Sequence, residues 1–230
     1  MTAAVNFQLR YAPFMLVAET MIAEGLIGAL NDVEVNVNVY TPWHLWDFLF
    51  SAPRVEILYH SIHYIDLIRH LMGNPKSVYA KTVGHPAMPQ LASVKSNIIM
   101  DYGHAIRASI HTNHNHDYGA SRQQSYIKLE GEKGVIRVSF GALINYPDGV
   151  PDKFEYALRD HDGDVHWQEI TVDGTWFPHA FIGSMAQLML AVEGSIEKPD
   201  NSVEDCIYTM ACVEAAYLSS QQGGVSLPDV

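Results

Sequence analysis

Four valines at alternate positions, Val33, Val35, Val37 and Val39, interleave with Glu34, Asn36, Asn38 and Tyr40. A period of two puts the valines on one face of a strand and the polar residues on the other. That pattern predicts a sheet with one dry and one polar face, the antiparallel habit. Further strand-like runs occupy 77–84, 93–100, 105–112, 125–130, 134–140, 154–159 and 165–172. Asp101-Tyr102-Gly103, the GEKG run at 131–134 and the DHDGD run at 160–164 read as the turns between neighbours. With no helix between most of these runs, the chain predicts an α+β fold: an open-faced, mostly antiparallel sheet of about eight strands with helices packed on one face. No repeat or linker divides it, so residues 1–230 are expected to form a single domain.

The helical segments have a different period. Residues 5–9 read as a short extended lead-in, and Pro13 opens a helix that Gly25 closes. Residues 181–192 and 203–221 predict two closing helices, with Ser202 as N-cap of the second. The most informative segment is RVEILYHSIHYIDLIRHLMG, 54–73. Leu58, Ile62, Ile65, Ile68 and Met72 form an apolar arc, while Glu56, Tyr59, His63, Asp66 and His70 recur at three or four residues on the other side. Such a strip beside an apolar majority must either pair internally or face a cavity. Gly73 and Pro75 end the helix.

Composition narrows the partners. A net charge of -12 over 230 residues argues against nucleic acid or an anionic membrane surface. No uninterrupted apolar run is long enough to span a bilayer, and no secretory leader opens the chain. Cys206 and Cys212 lie six apart on one predicted helix and cannot face each other, so a reducing, cytoplasmic setting is expected.

Several stretches resemble chemical motifs without completing them. Residues 41–53, TPWHLWDFLFSAP, place Trp43 and Trp46 beside His44 and Asp47 just ahead of the polar strip. The segment reads as a lid or a core plug. His111, His114, His116 and Asp117 crowd a strand end with zinc-type donors, but alternate residues point to opposite sides and no second ligand cluster accompanies them. A polar loop beside a pocket is the better reading, and no metal is expected. The 160–164 run lacks the downstream glutamate of a calcium loop. GEKG opens no helix, and no glycine-rich turn joins a strand to a helix, so the chain carries no nucleotide-binding fingerprint.

In order and spacing, four segments resemble the carboxy-terminal domain of the Gfo/Idh/MocA family of NAD(P)-dependent oxidoreductases. They are NFQLRYAPFMLVAETMIAEGLIGAL, HSIHYIDLIRHLMGNP, IKLEGEKGVIRV and the closing HAFIGSMAQLMLAVEGSIEKPDNSVEDCIYTMACVEAAYLSSQQGG. The resemblance implies a second domain that forms a sugar or polyol pocket, with the open sheet face making a dimer. It also implies a separate Rossmann domain bearing the cofactor and a lysine. His63 matches the histidine that touches the reacting oxygen, and Asp66 the aspartate of the same His-x-x-Asp motif. Two positions depart from the pattern: Tyr59 stands where an aspartate is frequent, and Ser61 where glycine is frequent. A phenol is a weak base at neutral pH, so the relay is expected to be altered.

The expectation is therefore a substrate-binding and dimerising domain of a sugar-type dehydrogenase, inactive without a nucleotide-binding domain in cis or trans. No cofactor is expected in this chain, and NAD or NADP is implied for the complete enzyme. His63 and Tyr59 are the candidate catalytic groups. Trp43, Trp46, Glu56 and His179 are candidates for the substrate wall, and Arg10 for an acidic substrate group or for Glu56. The alternative is a standalone, non-catalytic module binding a carbohydrate or a protein. A metal hydrolase using the histidine cluster is a third reading.

Overall fold

The alternation of valines produces the two-faced sheet that it predicts. A computed structural model describes residues 1–225. Its eight strands are β1 (Leu30–Asn38), β2 (Ser77–Val83), β3 (Lys95–Asp101), β4 (Arg107–Asn113), β5 (Gln124–Gly131), β6 (Gly134–Ser139), β7 (Lys153–Arg159) and β8 (Val165–Ile170). They form one sheet in the order β2-β3-β4-β1-β5-β6-β7-β8. Every neighbouring pair is antiparallel except β1 and β4, which run parallel with Val35 opposite Ile110. Val33, Val35 and Val37 are fully buried, as are Ile127 and Leu129 beside them on β5. The expected α+β architecture is what the chain adopts.

Four helices complete the fold: α1 (Pro13–Ala23), α2 (Ile62–Met72), α3 (Ala180–Glu193) and α4 (Val203–Gln222). Ser202 caps α4 by accepting from the Asp205 N–H, as its sequence position predicts. The dry sheet face and the helices share one core, in which Phe14, Met15, Ile65, Ile68, Ile136, Val138 and Phe140 meet. The other sheet face is open and carries an ion ladder, with Asp32 of β1 bonded to Arg107 at 2.5 Å and to Lys128 at 3.2 Å. The outer edge of β2 is covered by α4: the Ala80 and Thr82 N–H groups donate to the Ser219 and Ser220 hydroxyls at 2.9 and 3.0 Å. An edge strand closed in this way offers no template for further pairing.

The two glycines of the 131–134 hairpin answer to crowding. A Cβ on Gly131 would lie 2.2 Å from the Ile27 carbonyl oxygen, and one on Gly134 would lie 2.6 Å from that of Ala157. The loop before β1 and strand β7 press so closely on this hairpin that only glycine fits.

The segment 54–73 departs from the single regular helix expected of it. A π-helical turn, Ile57–Ser61, precedes α2. That turn resets the helical phase, and the five polar groups are distributed among separate environments. Asp66 does not pair with His63 or His70. It is claimed by Arg10, and His70 lies 3.2 Å from Glu19 of α1.

Candidate active site

His63 sits in the first turn of α2, directly after the π turn. Its ring meets Phe7 edge-on, with centroids 5.9 Å apart. Its Nδ1 is buried without a hydrogen-bond partner. Burial lowers the imidazole below its usual pKa, against the opposing pull of Asp66. Beside it opens a groove of about 450 Å³, lined by Val5, Asn6 and Phe7, by Leu58, Tyr59 and Ile62, and by Val203, Cys206, Ile207 and Met210 of α4. The wall of this groove is mainly hydrocarbon. Tyr59, 39% exposed, stands on the same rim and packs edge-on against Phe48.

Behind the π turn lies a second polar assembly, fully buried for the most part. Glu56 has no exposed surface. Its Oε1 accepts from the Ser61 hydroxyl at 2.8 Å and lies 3.5 Å from His114 Nε2. Burial opposes ionisation of Glu56, yet His114 and the Ser61 hydroxyl outweigh it and hold the carboxyl below its usual range. His114 is tied at Nδ1 to the Thr41 hydroxyl, 3.2 Å away, and stacks on His60 with centroids 4.1 Å apart. Trp43 closes the group edge-on to His60 at 5.3 Å. Burial, with His114 and His63 nearby, pushes the His60 imidazole far below its usual pKa.

The structure brings His63 and Tyr59 together at the groove and places the other candidates elsewhere. Glu56 and Trp43 are sealed beneath the π turn rather than lining the groove, because the turn rotates Glu56 toward Ser61 and His114. Trp46 packs half-buried against Tyr146, with centroids 5.8 Å apart. His179 is held in the turn before α3, where its Nδ1 accepts from the Thr175 N–H at 3.0 Å.

Arg10 requires the clearest correction: it meets neither Glu56 nor an opening. Its Nε and Nη2 grip both Asp66 oxygens at 2.6 Å, and Nη2 also reaches Asp205 at 2.7 Å. Nη1 donates to the Asp200 carbonyl at 3.1 Å. Arg69 completes this buried network through Asp205 and Thr209. With all three nitrogens engaged, Arg10 has nothing left for a substrate acid. Cys206 adjoins Asp66 and Asp205, but burial pushes its thiol up to about 12, and both carboxylates are already taken by arginines. These donors hold the fold together and do not wait for a metal.

Sequence reasoning passed over His60, noted Ser61 only as a departure from the resembled pattern, and placed His114 in a polar loop rather than in this buried assembly. The alternation in HTNHNHD contained a signal: His111 lies exposed on the open sheet face, bonded to Asn97 at 2.6 Å, while His114 turns inward.

The family model described as "Oxidoreductase family, C-terminal alpha/beta domain" matches residues 19–227. The chain belongs to the Gfo/Idh/MocA oxidoreductase family. Among curated proteins no sequence matches it significantly. Solved structures of similar fold include an oxidoreductase from Agrobacterium radiobacter in complex with NAD+, L-tartaric acid and magnesium, at 15% identity and a TM-score of 0.75, covering 97% of this chain and 64% of that one. Another is the WlbA dehydrogenase from Bordetella pertussis with NADH and UDP-GlcNAcA, at 21% identity and a TM-score of 0.69, covering 100% and 64%. The aldose-aldose oxidoreductase from Caulobacter crescentus, complexed with glycerol, is 15% identical with a TM-score of 0.74, covering 98% and 64%. The chain thus spans under two thirds of these relatives, and at such identities the likeness is one of fold. No helix among the described residues is long and apolar enough to cross a membrane.

Proposed function

We propose that this chain is the substrate-binding and dimerising domain of a sugar- or polyol-type NAD(P)-dependent oxidoreductase. It completes an active site together with a nucleotide-binding domain, in cis or in trans, in a reducing, cytoplasmic setting. The observation that carries the reading is His63, whose unpartnered, buried Nδ1 stands beside an open groove. A buried polar atom without a partner is costly unless something supplies one. Held neutral by burial, the His63 imidazole is suited to accept a hydrogen bond from the reacting hydroxyl and to take its proton. Tyr59, at the rim, orients the same oxygen.

The residues present do not fit a dinucleotide by themselves. Among the described residues no lysine or arginine lines the groove, and no glycine-rich strand-to-helix turn cradles a pyrophosphate. Cofactor binding is therefore assigned to the partner domain. The apolar wall of Phe7, Leu58, Ile62, Val203, Ile207 and Met210 is the surface that such a domain would cover. Relatives of this fold are about half as long again as this chain, which is consistent with such a domain in the complete enzyme.

A standalone protein-binding module is the second reading, favoured by Tyr79, Ile99 and Trp167, each more than half exposed on the open sheet face. Mixing the chain with a nucleotide-domain protein, NAD(P) and a polyol panel, and following nicotinamide absorbance, separates the two. Turnover that disappears in His63→Ala is the expected result. Unchanged turnover in that variant would remove His63 from the mechanism, and tight NAD binding by the isolated chain would contradict both readings.

A further inference from the structure

The π turn at Ile57–Ser61 has two faces. Leu58 and Tyr59 line the rim of the groove beside His63. His60 and Ser61 belong to the buried assembly on the other side. His60 stacks on His114, with centroids 4.1 Å apart, and meets Trp43 edge-on, while Ser61 donates to Glu56 at 2.8 Å. A displacement of His60 therefore reaches Tyr59 and Leu58 through the next two peptide links. The turn itself is held by few bonds. Its i→i+5 bond runs from the Ile62 N–H to the Ile57 carbonyl, and the Leu58 and Tyr59 N–H groups donate to the Tyr217 hydroxyl at 3.2 Å and the Val55 carbonyl at 3.0 Å. A π turn is a rare conformation, and here its seat is the slot between His114 and Trp43.

That slot suits only an uncharged His60. The ring is half-buried, and its Nδ1 is buried without a partner. Glu56, the carboxylate of the assembly, is already engaged by the Ser61 hydroxyl and lies 3.5 Å from His114 Nε2. A proton on His60 would thus place a charge against a second imidazole, with no carboxylate bonded to it. Burial, with His114 and His63 nearby, opposes that charge. The other groups around the turn keep their charge between pH 7 and pH 5.5. Glu56 is held below its usual range, burial pushes the Tyr64 phenol far up and that of Tyr217 up to about 12, and Arg54 pairs with Glu214 at the surface.

We propose that the π turn is a proton-operated latch on the groove: uptake of a proton by His60 releases the turn from its seat against His114 and Trp43 and carries Leu58 and Tyr59 away from the rim. The released ring, in water, binds a proton at the ordinary imidazole pKa of about 6.5, whereas the seated ring does not, and the equilibrium shifts toward release by that difference. Release is disfavoured at neutral pH and grows as the solution is acidified below 6.5. The groove keeps the Tyr59 phenol at its rim in neutral solution and loses it in acid, whichever molecule the groove receives.

The test is hydrogen exchange at the Leu58, Tyr59 and Ile62 amides of the full chain, followed by NMR between pH 7 and pH 5.5 and corrected for intrinsic rates. The buried amides of β1 serve as the measure of global unfolding. Protection of the three amides is expected to stay below that of β1 at every pH and to fall roughly tenfold over this range, the proton-binding advantage of one released imidazole. In His60→Gln the fall is expected to vanish, and in His63→Gln to persist. Protection equal to that of β1 throughout would mean that the turn opens only when the whole chain unfolds. Protection unchanged with pH would mean that no proton operates it. Either result in the wild type overturns the latch, whether or not the variants fold. A fall that survives in His60→Gln, or that disappears in His63→Gln, assigns the proton to another group and overturns it as well.

Discussion

Glu56 and Ser61 are five residues apart and joined by a 2.8 Å hydrogen bond. On an α-helix, positions five apart point roughly 140° away from each other, and such a bond cannot form. The π turn at Ile57–Ser61, with its i→i+5 hydrogen bonding, brings them over one another. The Ser61 hydroxyl is thus a donor that the buried carboxylate uses. Replacing Ser61 by Ala leaves Glu56 with one partner fewer in a fully buried place and should cost about 1–3 kcal/mol. Urea denaturation would register this as a lower midpoint at unchanged slope; an unchanged midpoint would show that the bond contributes nothing.

Arg10 and Asp66 make the other decisive pairing, with side chains 2% and 1% exposed. Burial by itself would lower the arginine's pKa, but the bonds to Asp66 and Asp205 prevail and raise it. Arg10→Met strands the Asp66 carboxylate and should destabilise the fold by about 3–5 kcal/mol. Thermal unfolding would check this, and a loss no larger than that of a surface pair would mean the network is dispensable.

Stability should fall on acidification between neutral pH and pH 5. His60 and His63 have folded pKa values below the ordinary 6.5, so the unfolded chain binds protons that the folded chain refuses. Their contribution is complete above 6.5 and declines as pH drops through that value. Glu56, held below 4.5, adds a further loss only in more acid solution. In His60→Gln the slope of stability against pH should be shallower by up to one proton, about 1.4 kcal/mol per pH unit. Parallel melting curves for the two proteins across this range would contradict the assignment.

The open sheet face should make the dimer, with Asn36 and Asn38 near the contact. Light scattering at micromolar concentration is expected to report twice the chain mass. Ile99 is 51% exposed on that face, so Ile99→Asp should leave the melting temperature within a few degrees and shift the mass toward the monomer. A wild-type monomer at this concentration would count against the interface.

Periodicity along the chain was enough to determine the strands, their hairpins and the helices, because alternation and helical spacing are local properties. The His-x-x-Asp spacing singles out His63 within its own segment, whereas its unpartnered nitrogen and the groove beside it come only from packing. The parallel pairing of β1 with β4 was not legible, because their register depends on residues 75 positions apart meeting in space. Nor was the fate of Arg10, which reads as a free cation until Asp66 and Asp205 close around it. Tertiary packing likewise decided the polar strip of 54–73. One inserted residue in the π turn changed the phase, sending Glu56 and His60 toward His114 and leaving Tyr59 and His63 at the groove. A regular helical projection has no term for that insertion, since its stabilising contacts come from Thr41, Ser93 and His114, all distant in the chain.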